Sequence, residues 1–188
     1  MQSDQSPGSF AGLLRLGLAH LLLGAVLLLG VGLLAGMPAL LQYGLAVVAG
    51  FVVTTLIHEW FHLAGAHLSG GHYSIPSRIG LFTYNWSFSD NSVGQFLLMS
   101  IAGSVGSIVG IALFTLFSEP GNGASFAALA GAWASLGFAA AIEWPVLLRT
   151  LASGEPLTEL SKINGRVLLV SLAISVAVGL AAFNWAAG

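Results

Sequence analysis

The chain has 188 residues, with five Lys or Arg, seven Asp or Glu, a formal net charge of -2, 56% hydrophobic residues and only 6% charged ones. Soluble domains carry about a quarter charged residues, so at a mean hydropathy of +0.92 a water-facing surface is excluded and an integral membrane protein is expected. The small net charge speaks against nucleic acid as a partner, and the absence of cysteine excludes disulfides, thiolate catalysis and Cys-ligated metals.

Five apolar segments follow one another at 11–36, 40–67, 94–118, 125–149 and 164–185. Each is long enough for a hydrocarbon core of ~30 Å, which needs ~20 helical residues. Helices are the way so few segments satisfy their backbone in lipid, so the predicted fold is an all-α membrane bundle forming a single domain over 1–188. The first segment is longer than a signal-peptide core and carries Arg15 near its start, which predicts a retained span rather than a cleaved leader. His20 stands alone in it and is expected to be a hydrogen-bonded packing residue. A Gly36-Met37-Pro38-Ala39 turn leads to the second segment, which ends in TTLIHEWFHLAGA (54–66).

The stretch 69–92, SGGHYSIPSRIGLFTYNWSFSDNS, is too polar to span. Gly70-Gly71 ends the second helix, and Pro76 and Gly80 break up the residues after it. From Leu81 to Phe88 the residues alternate, with Phe82, Tyr84, Trp86 and Phe88 on one face, and this period of two predicts a short interfacial strand. Its Trp and Tyr suit headgroup depth, and its edge could pair with an extended peptide. The third span carries Gly103, Gly106 and Gly110, which permit close helix approach. The fourth holds Glu143 and Pro145, and Pro145 is expected to bend it. No internal repeat or separate soluble domain is visible.

Five spans put the N-terminus, 69–92 and the 150–163 loop on one side of the membrane. Arg15, Arg78, Arg149, Lys162 and Arg166, all the Lys and Arg of the chain, lie in or beside those pieces. The positive-inside rule then places the N-terminus in the cytoplasm and the C-terminus outside. A bacterial-type inner membrane is the expected location, with the lipid bilayer as surroundings.

His58, Glu59 and His62 form HExxH at the cytoplasmic end of the second span. On a helix, histidines at i and i+4 share a face and can reach one ion, and the intervening carboxylate can take a proton from water activated there. Each ionisable group in a span costs roughly 2.5–3.5 kcal/mol on insertion scales, so the trio calls for a reason. Zn²⁺ binding is the leading one; haem ligation and a metal-free Glu–His network compete with it. A hydrolytic zinc site needs a third protein ligand and an open position. Glu143 lies ~9 Å below the same surface as the histidine pair, and it is the one acid outside the motif that is buried in a span. Glu159 and Glu155, in the next loop, could fold back instead. His67, five residues past His62, is rotated off the motif's face, and His72 lies beyond the glycines.

From residue 54 to 115 the chain resembles the site-2 protease family of intramembrane zinc metalloproteases. The resemblance rests on HExxH near the end of a span, on AGAHLSGG, on a polar strand segment containing IGLF, and on the glycine-containing helix SIAGSVGSIVG. It implies a zinc ion held by His58 and His62, Glu59 as general base, and strand pairing with an unwound transmembrane substrate. The family's third-ligand motif, Asn-x-x-Pro followed by Asp-Gly, is not kept. Here the proline region reads AAIEWPVLLRTLASGEPLTELSKI, Ile142 stands at the Asn position and no Asp-Gly comes after it. Two functions are therefore weighed. One is a zinc metalloendopeptidase acting on membrane-protein or transmembrane-peptide substrates, with His58, His62 and Glu143 as ligands and Glu59 as the base. The other is a non-proteolytic relative that serves as a structural or assembly subunit beside partner membrane subunits.

Overall fold

A computed structural model describes residues 10–188 of the chain. Five of its helices are long and apolar enough to cross a membrane. They are α1 (Phe10–Leu33), α2 (Ala39–Leu68), α3 (Val93–Leu116), α4 (Gly123–Ser153) and α6 (Gly165–Ala187), with a short α5 (Pro156–Leu160) between the last two. The protein is thus an all-α membrane protein, with the five predicted spans in their predicted order. The largest shift in a boundary is at α4, which runs four residues past the expected end at 149 before Gly154 closes it in a left-handed conformation (φ 71°). The loop 150–163 is not featureless, because Pro156 at the first position of α5 starts an extra turn of helix.

Side chains fix the helix starts. Ser92 and Gln95 form a reciprocal capping box at α3, while Asn122 and Asn164 cap α4 and α6 through their side-chain oxygens. The β-branched run Val52-Val53-Thr54-Thr55 lies inside α2. In lipid every backbone group needs an internal partner, and that requirement outweighs the weak strand preference of these residues. Pro145 also lies within continuous helix.

Helix α4 packs on α2, α3 and α6, α2 packs on α3 and α4, and α1 leans chiefly on α2. Small residues let α2 and α4 approach closely: a Cβ on Gly50 would overlap the Ala128 carbonyl. The outward faces of α1 and α6 are rows of exposed Leu, Val and Ile, as a lipid-facing surface requires.

The segment between α2 and α3 contains a two-stranded antiparallel sheet, β1 (Tyr73–Ser74) with β2 (Asn85–Trp86), pairing Tyr73 with Trp86 and Ser74 with Asn85. The strand expected over 81–88 is therefore shorter, and its faces differ from the simple alternation. Tyr84, Trp86 and Phe88 pack against Ala66, Phe96, Met99 and Val146, but Phe82 is exposed and Thr83 is fully buried. The side-chain pattern breaks because Thr83 turns inward to donate a hydrogen bond to the Glu59 carbonyl at 2.8 Å. Further polar ties close the segment: Gln95 donates to the carbonyls of Ser69 and Gly70, and Asn91 brackets the backbone of His72. From the α1 side, Arg15 donates to Ser77 O at 2.6 Å.

Candidate metal centre

His58, Glu59 and His62 fall within little more than one turn of α2, and all three are buried. Each offers a ligand atom, and these atoms lie within 4.8 Å of one another, so the group could hold a metal ion. The imidazoles meet edge to face with centroids 4.4 Å apart and point between α3 and α4.

The hydrogen bonds of the rings define what the site accepts. His62 Nδ1 lies 2.8 Å from the Met99 carbonyl oxygen. A carbonyl only accepts, so Nδ1 carries a proton, and in the neutral ring Nε2 keeps its lone pair. That Nε2 faces Glu143 Oε1 at 3.2 Å. His58 Nδ1 lies 2.9 Å from Ser107 Oγ, a hydroxyl that can donate or accept, and its Nε2 lies 2.8 Å from the same Glu143 oxygen. Two imidazole nitrogens and a carboxylate oxygen therefore converge, and such a set of lone pairs is stable only around a proton or a cation. Ligands at about 2.0–2.2 Å in tetrahedral array stand ~3.3 Å from one another, close to the 2.8 and 3.2 Å separations here. Outer hydrogen bonds that fix ring orientation are typical of metal-ligating histidines. Glu143 Oε2, the other carboxylate oxygen, is buried without a partner, a costly condition that a cation or its water would relieve. The donor set fits zinc, whose protein ligands are nitrogen, oxygen and sulfur.

Helix α3 makes room for this arrangement. A Cβ on Gly103 would overlap the His62 ring, and one on Gly106 would press on Phe61 and the α2 backbone at His58. Of the glycines expected only to ease packing, Gly103 thus borders an imidazole directly, while Gly110 lies against Thr54. The interfacial segment closes the remaining side. Tyr84 stands 6.3 Å from His62, ring to ring, and its hydroxyl donates to Met99 Sδ at 2.8 Å. Burial pushes the Tyr84 phenol above its ordinary value, and the negative charges of Glu59 and Glu143 push it further.

The other candidates lie elsewhere. Glu159 is buried but pairs with Lys162 at 2.6 Å, and that ammonium holds its carboxyl below the usual range. Glu155 is exposed at the start of α5. His67 and His72 are exposed, and His67 Nδ1 meets the Tyr73 hydroxyl at 3.2 Å. His20 is buried between two partners: Trp60 Nε1 donates to its Nδ1 at 3.0 Å, and its Nε2 donates to the Gly80 carbonyl at 2.7 Å. Ser107, Thr83 and the Met99 carbonyl were not anticipated. Ser107 had a signal, since it lies four residues after Gly103 on the same stripe of α3; Thr83 and a backbone carbonyl had none.

Comparison of the chain with protein-family models, curated proteins and solved structures finds no match.

Proposed function

We propose that the protein is a zinc-dependent intramembrane peptidase of the site-2 protease type. The observation that carries this reading is the convergence of His58 Nε2, His62 Nε2 and Glu143 Oε1, with the Nδ1 side of His62 occupied by the Met99 carbonyl so that Nε2 is the nitrogen facing the site. His58, His62 and Glu143 would hold the metal, with Glu143 in place of the Asp that the family resemblance leads one to expect. A zinc ion there supplies Lewis acidity, polarising a carbonyl and bringing the pKa of water from about 15.7 to near 7.

The remaining work falls to the chain itself. Glu59, beside the histidines, accepts a proton from the attacking water and returns it to the leaving amine. Thr83 fixes the 81–86 segment to the Glu59 backbone, so an extended peptide that pairs along this segment lies next to the reacting groups. Tyr84 and the α2–α3 contact limit bulk water, which strengthens the electrostatic interactions inside. The substrate is a transmembrane segment unwound near the bilayer surface. The basic residues lie near the start of α1, in the α2–α3 segment and around the α4–α6 connection, which favours an inner-membrane protein with those parts on the cytoplasmic side.

A second reading has one observation in its favour. Ile142 stands where the resemblance calls for Asn, and no Asp-Gly comes after it, as in a relative that retains the fold as an assembly subunit without cleaving substrate. Purified protein assayed for zinc and for cleavage of a transmembrane peptide separates the two. Stoichiometric zinc, lost in His58→Ala, together with cleavage lost in a zinc-loaded Glu59→Gln variant, is the expected result. Wild-type protein with no zinc would remove the peptidase reading.

A further inference from the structure

We propose that the cavity between α4, α5 and α6 is a binding site for one anionic glycerophospholipid. It encloses about 250 Å³ and is separate from the metal centre, since neither His58, His62 nor Glu143 lines it. Its lining includes Arg149, Lys162 and Arg166, and the rest of it is largely apolar, from buried Val146 to Ile142 and Val167 and, at the outer edge, Val170.

Charge is the first argument. Glu159 is the acid in the lining, and Lys162 Nζ pairs with it at 2.6 Å. Three cations less one carboxylate leave a net charge of +2, carried by Arg149 and Arg166. Neither guanidinium forms an ion pair or a side-chain hydrogen bond among the described residues. Guanidinium groups suit phosphate oxygens because their planar fork donates two parallel hydrogen bonds.

The second argument is independent of charge. Ser171 lines the cavity, is 1% exposed, and its hydroxyl has no hydrogen-bond partner. Buried hydroxyls are ordinarily paired. Ser171 lies five residues into the membrane from Arg166, ~7.5 Å along α6. A glycerophospholipid carries its ester carbonyls below its phosphate, toward the bilayer centre. With the phosphate at Arg149 and Arg166, an ester oxygen is placed to accept from Ser171 Oγ. The acyl chains then leave past Val170 and Leu169, which are exposed on the outward face of α6. A soluble phosphate would use the arginines alone and leave Ser171 unpaired, so the two-level site selects a lipid.

The test uses the purified full chain in non-ionic detergent, with phosphatidylglycerol, phosphatidylcholine and inorganic phosphate as probes, read by native mass spectrometry and by melting temperature. Phosphatidylglycerol should bind at one per chain, at least ~10-fold tighter than phosphatidylcholine, and millimolar phosphate should not displace it. Removing both arginines (Arg149→Gln with Arg166→Gln) should weaken it about 30-fold, at about 1 kcal/mol per cation, while Arg78→Gln leaves it unchanged. Ser171→Ala removes no charge. It should raise the melting temperature of the lipid-free protein yet reduce the gain from phosphatidylglycerol. Equal affinity for the two lipids, displacement by phosphate, or an undiminished lipid gain in Ser171→Ala would each overturn the proposal, and the wild-type arms need no variant to fold.

Discussion

Gly103→Ala adds one methyl group to α3 and tests whether the proposed metal centre depends on the close approach of α2 and α3. The new Cβ would lie 2.7 Å from His62 Nδ1 and nearer still to two other atoms of that ring, where ordinary contacts start at about 3.4 Å. The ring cannot turn away freely, because Nδ1 is bonded to Met99 O at 2.8 Å on the same helix as the intruding methyl. Either that bond breaks or the helices separate by most of an ångström. Overpacking of this kind costs ~1–3 kcal/mol, and losing the bond adds about 1 kcal/mol. Metal–ligand distances tolerate only about ±0.2 Å, so a displaced His62 should lower zinc affinity by roughly 10–100-fold, the loss seen when ligand orientation is disturbed. Chelator competition on purified protein measures this, and circular dichroism checks that the helices remain. Gly44→Ala, where a Cβ would meet nothing within 4 Å, is the control. Zinc affinity within twofold of wild type in Gly103→Ala would refute the placement of His62 against α3.

Glu143→Gln keeps the side chain's volume and removes its charge; zinc affinity should fall by more than about 100-fold, beyond the effect of an outer hydrogen-bond partner, and unchanged affinity would remove Glu143 as a ligand. Ser107→Ala takes away the partner of His58 Nδ1 and should cost about 10–100-fold in affinity, with no effect expected if the serine merely fills space. His20→Ala unpairs Trp60 Nε1 and the Gly80 carbonyl; a loss of ~1 kcal/mol and faster proteolysis within 75–83 should result, whereas an unaltered cleavage rate would mean that His20 does not hold the segment. Glu159, whose carboxyl Lys162 holds below its ordinary 4.5, contributes stability that is present above that value and is lost as pH falls through the depressed one. From pH 6 to pH 3 the melting temperature of wild type should therefore fall further than that of Glu159→Gln, and parallel curves would contradict the pairing.

Much of the architecture was legible because lipid leaves few choices. A chain so apolar has to cross the membrane, each crossing has to be helical, and interruptions such as Gly36–Ala39, 69–92 and 150–163 mark where it turns. The interfacial segment was harder to read. Alternation over Leu81–Phe88 placed Tyr84, Trp86 and Phe88 correctly, because an apolar cluster from α2, α3 and α4 receives them. It failed at Phe82 and Thr83, where one hydrogen bond to a helix backbone outweighs the period-two pattern. The 150–163 loop hid a turn of helix, since five residues started by a proline carry no periodic signal.

At the candidate metal centre the sequence by itself determined that two histidines and the neighbouring glutamate lie together, because a helix fixes the relation of residues i and i+4 whatever surrounds it. Depth within the membrane also singled out Glu143, since two helices crossing the same slab bring equal depths together. Only the tertiary structure decided which way each imidazole turns. The proton on His62 Nδ1 is set by a carbonyl on another helix, and room for the ring comes from a missing side chain at Gly103. Those relations join residues dozens of positions apart, and no local period in the chain encodes them.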